Sequence, residues 1–210
     1  MGSSRNKWGY THCPICNADA PKKRLEAYSD LPKPAHTFAT FKALPGTEEC
    51  LAAASNFATG HPGYSGLTIV GTNGNGKSHL LEAIGWAMLN QGSAVKYVFV
   101  PALLQRLRNT YDHKSQESFA DVWAVYERAE VLLLDDLGEH PTPTPWAKGQ
   151  MEYLIERRYR NERPWVLTTN LTKEQMIEAW SHRLEDRVFD EGTGAVRVVY
   201  NLAPSYRSGK

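Results

Sequence analysis

The chain has 210 residues, a formal net charge of +1 and three cysteines. That length suits one α/β domain with a short appendage, and near-neutrality excludes a polycation, so any nucleic-acid contact must come from a local basic patch. The odd, small cysteine count argues against a disulfide scaffold, and neither a bilayer-spanning apolar run (roughly 20 residues) nor a secretory leader is visible, so a soluble cytoplasmic protein is expected.

Residues 1–34 are polar, rich in Lys, Pro and Ser, and read as an extension with a stiff linker ahead of a core over 35–210. They hold Cys13-Pro14-Ile15-Cys16, one half of a structural zinc site. His12, His36 and Cys50 are the other donors nearby, and none has the spacing of a second pair. Cys13 and Cys16 are therefore either part of a Zn²⁺ knuckle or two reduced thiols in an arm. Lys22-Lys23-Arg24 is a candidate phosphate-contacting patch. The core then reads as a helix over 48–57, a loop over 60–66 and a β-favouring run Leu67-Thr68-Ile69-Val70. A helix follows from Ser78 with Leu80, Leu81, Ile84, Ala87 and Met88 on an apolar period. Next come a strand over 95–100, a helix over 101–110 with proline in its first turn, and a helix over 118–128. Residues 131–134 are continuously apolar, as in a central parallel strand covered on both faces. A helix over 146–159, a strand over 165–168, a helix over 172–180 and a strand over 196–200 complete the pattern. The helix at 172 opens with a capping-box pair, Thr172 and Gln175. Strands separated by helices predict a parallel sheet sandwiched by helices.

The chemistry starts at Gly71-Thr72-Asn73-Gly74-Asn75-Gly76-Lys77-Ser78, with His79 following. Strand, glycine-rich turn and helix N-terminus stand in the order a phosphate-binding loop (P-loop) requires. Glycines let successive backbone N–H groups turn inward around a phosphate, and the helix dipole faces the anion. Lys77 would reach the β- and γ-phosphates of ATP, and the Ser78 hydroxyl would hold Mg²⁺. The apolar run ending in Asp135-Asp136 delivers two carboxylates to a strand end. Asp135 is expected to bind Mg²⁺ opposite Ser78, and Asp136, pointing the other way, to orient and deprotonate the attacking water. The strand Trp165-Val166-Leu167-Thr168-Thr169-Asn170 ends in an amide that can position this water. Arg183 and Arg187 share a helical face. One is a candidate phosphate-stabilising arginine for a neighbouring subunit, the other a salt-bridge partner of Glu185, Asp186 or Asp190. Arg157, Arg158, Arg160 and Arg163 are either phosphate contacts or helix-end charges, and Tyr153, Tyr159 and Trp165 either stack bases or face the core.

Together these residues resemble the AAA+ ATPases of the helicase-loader and transposon-helper group, the DnaC/DnaI/IstB-like proteins. The matching stretches are 71–80, 131–138, 167–170 and the segment ending at Asp186-Arg187. Looser matches are Thr37-Phe38-Ala39-Thr40-Phe41, which in the family lies near the adenine pocket, and Pro204-Ser205-Tyr206-Arg207. The resemblance spans roughly 35–207. It implies an ATP-dependent loader that engages a hexameric replicative helicase, binds single-stranded DNA and self-associates in its ATP state. By the same likeness Asn170 is the sensor-1 residue and Arg187 the arginine finger. A helical lid is expected to be absent, because 196–200 reads as a strand. A transposase helper of the IstB type shares this core and is the alternative. A small-molecule kinase and a non-hydrolysing adaptor fit the Asp-Asp strand and Asn170 less well.

Overall fold

The computed structural model describes residues 22–32, 34–138 and 142–207, so Cys13 and Cys16 lie outside the described residues. Five strands form one parallel sheet: β1 (Gly66–Gly71), β2 (Val95–Phe99), β3 (Val131–Asp135), β4 (Trp165–Thr169) and β5 (Val196–Asn201). Their spatial order is β2-β3-β4-β1-β5. The expected alternation of strands and helices is met, and the sheet carries helices on both faces. This is the AAA+ P-loop NTPase fold.

Parity along each strand decides which helix each side chain meets. Val95, Val131, Leu133, Val166, Leu67 and Ile69 face a layer made by α1 (Lys22–Ser29), α2 (Glu48–Ala58) and α3 (Lys77–Asn90). Val98, Leu132, Leu134, Leu167, Val70 and Val198 face the other layer. That layer contains α4 (Val100–Asn109), α5 (Phe119–Arg128), α6 (Pro145–Arg160), α7 (Lys173–Ala179) and α8 (His182–Val188). Local signals set several boundaries: Pro101 and Pro145 sit in the first turns of α4 and α6, and Thr172 with Gln175 closes the capping box of α7.

The stiff linker expected before residue 35 is partly helix. Leu25 is buried, and Tyr28 and Leu31 pack beside it against the α2–α3 layer. The partner is the edge strand β2. Lys96 is buried there, donates to the Tyr28 carbonyl at 2.8 Å and pairs with Asp30 at 2.5 Å. A charge on an edge strand thus recruits a helix that local periodicity alone did not announce.

The arginine cluster at the end of α6 is structural at its centre. Arg158 is only 1% exposed and donates to the carbonyls of Tyr126 (3.3 Å), Ala129 (3.0 Å), Glu130 (3.1 Å) and Pro164 (2.6 Å). It ties the end of α5 to the starts of β3 and β4, at the sheet edge opposite the site. Arg160 pairs with Glu156, Arg157 with Glu127, and Arg163 donates to the Glu127 carbonyl. Trp165 is fully buried, so it is core and no stacking platform. Arg158→Met should lower stability by on the order of 3 kcal/mol, since buried carbonyls lose their donor. Urea unfolding measures this, and an unchanged midpoint would contradict the structural role.

Candidate functional site

β1 ends at Gly71, and the loop that follows is held in shape by its own sequence and by β5. Gly74 (φ 78°) and Gly76 (φ 94°) occupy the left-handed region, where a Cβ is disfavoured. A side chain on Gly76 would also meet the Phe41 and Tyr206 rings at 3.1 Å. Asn75 is buried between them; its amide donates to the Asn201 carbonyl (2.9 Å), and the Asn201 amide returns a bond to the Asn75 carbonyl (2.8 Å). This reciprocal pair fastens the loop to β5. Lys77 Nζ folds back over the loop and donates to the carbonyls of Gly71 and Thr72, both at 2.7 Å. Burial pulls its ammonium below the usual lysine range, and the charges of Asp136 and Asp135 oppose that.

Asp135 closes β3 on the α3 face and is buried. Its Oδ1 accepts from Ser78 Oγ at 2.9 Å and from Thr168 Oγ1 at 2.6 Å, and its Oδ2 accepts from the Tyr97 hydroxyl at 2.9 Å. The expected meeting of Ser78 with Asp135 is thus seen directly. Tyr97 and Thr168 are site residues that sequence reasoning missed. The signal was parity: Phe99 stands opposite Asp135 and Tyr97 opposite Leu133, so position 97 shares the carboxylate's face. Burial, then the adjoining Asp135 charge, pushes the Tyr97 phenol far upward, so it stays a donor.

Asp136 sits just past β3 with φ 61°, a left-handed conformation that Asp tolerates better than most residues. Its N–H donates to Thr168 Oγ1 at 2.9 Å, so one threonine hydroxyl supports both aspartates. Burial and the Asp135 charge hold the Asp136 carboxyl above the usual carboxylate range, with Lys77 opposing. Asn170 Oδ1 is buried with no hydrogen-bond partner among the described residues. A Cβ built on Gly138 would lie 3.2 Å from that oxygen and 3.5 Å from Asp136 Oδ1, so the amide and the second carboxylate flank the same glycine.

Lys77, Ser78, Asp135, Asp136 and Thr168 line one cavity of about 680 Å³. Thr40, Phe41 and His79 form part of its wall, and His79 Nε2 lies 2.9 Å from the Thr37 carbonyl oxygen. After β5 the described chain runs on as a tail whose Tyr206 N–H donates to the Gly74 carbonyl at 2.9 Å, placing Tyr206 and Arg207 at the cavity. The Ser78 hydroxyl and Asp135 carboxylate form a hard oxygen donor set suited to Mg²⁺.

Other expected residues stand apart. Arg187 does not line this cavity: its Nε donates to Glu156 Oε2 at 2.7 Å, and its guanidinium lies 4.8 Å from the Tyr159 ring centre. Its ion-pair partner is Glu156, on α6. Arg183 is exposed on α8. Of the extra zinc donors, His36 pairs with Glu82 at 3.0 Å. The Cys50 thiol is buried and pushed up to about 12, by burial first and the Glu49 charge second, so it stays protonated.

The profile of the family described as "IstB-like ATP binding protein" matches residues 63–196. The chromosomal replication initiator protein DnaA of Campylobacter curvus (strain 525.92) is 34% identical over 117 residues, covering 55% of this chain and 26% of the relative. The replicative helicase loader DnaC of Escherichia coli (strain K12) is 27% identical over 138 residues, covering 66% of this chain and 54% of the relative. The chain thus spans about a quarter to about half the length of these relatives. Among solved structures, "Replication initiator DnaA bound to AMPPCP and single-stranded DNA" superposes with a TM-score of 0.70 at 20% identity, covering 84% of this chain and 52% of that one. No helix among the described residues is long and apolar enough to cross a membrane.

Equilibrium binding of labelled ATP separates the two charged partners in the cavity. Lys77→Ala should abolish binding, because the ammonium is replaced by a methyl group. Asp136→Asn should bind ATP normally and hydrolyse it slowly, because an amide cannot take a proton from water. Parent-like binding by the first variant, or parent-like hydrolysis by the second, would refute the role concerned.

Proposed function

We propose, from the premise that the chain belongs to the IstB-like ATP binding protein family, that it is a Mg²⁺-dependent ATPase that helps place a replicative helicase on single-stranded DNA. The observation that carries the ATPase half is the single cavity where the phosphate loop, both aspartates and Thr168 converge. The loader half rests on the likeness to the E. coli protein named a replicative helicase loader and on the match to DnaA, one structure of which was solved with single-stranded DNA.

In this reading the chain's residues divide the chemistry between them. Lys77 and the N-terminus of α3 hold the phosphates. Ser78 and Asp135 would hold Mg²⁺, which neutralises phosphate charge when bound. Asp136, with a proton affinity raised by burial and by Asp135, takes the proton of the attacking water. The Asn170 amide orients that water through its Oδ1, which is buried and has no hydrogen-bond partner among the described residues. Arg187 serves a neighbouring subunit. It does not line its own cavity, and its ion pair with Glu156 uses Nε, which leaves the terminal nitrogens as donors for a neighbour's phosphate. Cys13 and Cys16, which precede α1 in the chain, are the candidate Zn²⁺ ligands.

The family match favours one second reading, a transposase helper of the IstB type acting on DNA. Both readings need assembly, and mixing two defective variants tests that. Lys77→Ala subunits offer Arg187 to Arg187→Ala subunits with intact loops, so hydrolysis absent from either alone should return. The guanidinium effect can reach roughly 10³-fold, so partial rescue is measurable. Absence of rescue between folded, assembling variants would place Arg187 in cis or in a purely structural pair.

The partner is tested with single-stranded DNA and purified replicative helicase. Retention on DNA should rise with ATP and fall as salt increases, since phosphate contacts release counterions. A salt-independent response, or helicase recruitment no better than without the protein, would count against the loader. ATP-dependent capture of a transposase instead would establish the helper reading.

A further inference from the structure

We propose that Tyr97 is a positioning residue for the metal-binding carboxylate, fixing the plane of Asp135 so that it is ready for Mg²⁺; this rests on the assignment of Asp135 to the metal.

The terminal torsion of an aspartate is soft, so a carboxylate gripped at one oxygen still swings. Asp135 is gripped at both. Thr168 holds Oδ1 at 2.6 Å, and Tyr97 holds Oδ2 at 2.9 Å. The third donor, Ser78, is the residue the phosphate loop reserves for the cation, so it is no permanent clamp. Thr168 is occupied twice, since its hydroxyl also accepts the Asp136 N–H. Tyr97 is therefore the donor whose contact at the site is the carboxylate alone.

Its placement follows from the sheet. Tyr97 stands in register with Leu133 on β3, two residues before Asp135 and on the same face. A phenylalanine would fill the same space beside Val95, Val131 and Leu133, so packing does not require the hydroxyl. What the oxygen adds is a directed donor at the end of a rigid ring, delivered from a different strand. A donor of this kind lowers the cost of ordering a ligand before the metal arrives, and removing one commonly weakens metal affinity roughly tenfold or more.

Tyr97→Phe removes one oxygen and keeps the ring, so its effect is readable without a folding defect. The full chain is titrated with a fluorescent ATP analogue, first in EDTA and then across a Mg²⁺ series, alongside a thermal melt. We expect nucleotide affinity in EDTA to stay near the parent's, and the melt to show the variant fully folded at the assay temperature although the Asp135 oxygen has lost a donor. The Mg²⁺ concentration that half-saturates the metal-dependent gain in affinity should rise roughly tenfold. A tyrosine that only packs against the sheet would leave the Mg²⁺ curve in place, because phenylalanine packs equally well, and that outcome overturns the proposal. Asp135→Asn is the control for its premise. A Mg²⁺ curve shifted in Asp135→Asn but not in Tyr97→Phe rejects the positioning role alone. A curve unmoved in both rejects the metal assignment of Asp135 together with it.

Discussion

A buried carboxylate surrounded by hydroxyls rather than by cations organises this molecule. Asp135 receives hydrogen bonds from Ser78 on α3, Tyr97 on β2 and Thr168 on β4, while itself ending β3. Taking a carboxylate out of water is costly unless its oxygens are satisfied. An arginine would satisfy them and cancel the charge in the same act. Neutral donors satisfy the lone pairs and leave the negative charge intact, which is what a site for a divalent cation needs. The nearby lysine does not spoil this, because Lys77 spends its protons on the carbonyls of Gly71 and Thr72.

The same constraint orders the rest of the cavity. Thr168 supports Asp135 through its proton and the Asp136 backbone through its lone pair, so the two aspartates cannot shift independently. The left-handed turn at Asp136 follows and brings it within reach of Lys77, whose charge opposes the rise in its proton affinity. On the far side of β1 the Asn75–Asn201 amide pair fixes the loop, and Tyr206 closes on Gly74 from the chain's tail. The aspartate and phosphate-loop walls of the cavity are thus anchored to strand ends, as expected where ligands bind at the carboxyl edge of a parallel sheet.

The arginines show how one residue type is assigned opposite tasks by its surroundings. Arg158 donates to four backbone carbonyls and acts as a clasp between α5, β3 and β4. Arg187, on a short helix held to β1 by the Thr68 hydroxyl, which donates to the Val188 carbonyl at 2.5 Å, has its guanidinium bonded through Nε to Glu156 and set against the Tyr159 ring. The helix that carries it therefore rests on the strand that feeds the phosphate loop. The phosphate loop and the helix of Arg187 thus share one support.

Much of this was legible from residues alone. The phosphate loop is a contiguous stretch whose shape depends on local backbone freedom, so Gly74, Gly76, Lys77 and Ser78 announce it without help. The apolar run into Asp135-Asp136 and the strand ending at Asn170 are likewise local patterns with a fixed period, and the alternation of strands and helices gave the layered fold. Tertiary structure alone decided the rest. Residues 22–29 became a packed helix because Lys96, far along the chain, offered Tyr28 and Asp30 a buried partner. Tyr97 and Thr168 became site residues only once the order β2-β3-β4-β1-β5 set their strands on either side of β3. Arg187 met Glu156 on α6, a contact to which no local spacing points. The reason is common to all three: a period in the sequence says which face a side chain occupies, whereas a hydrogen bond needs two particular atoms brought together, and only strand order and register bring distant residues that close.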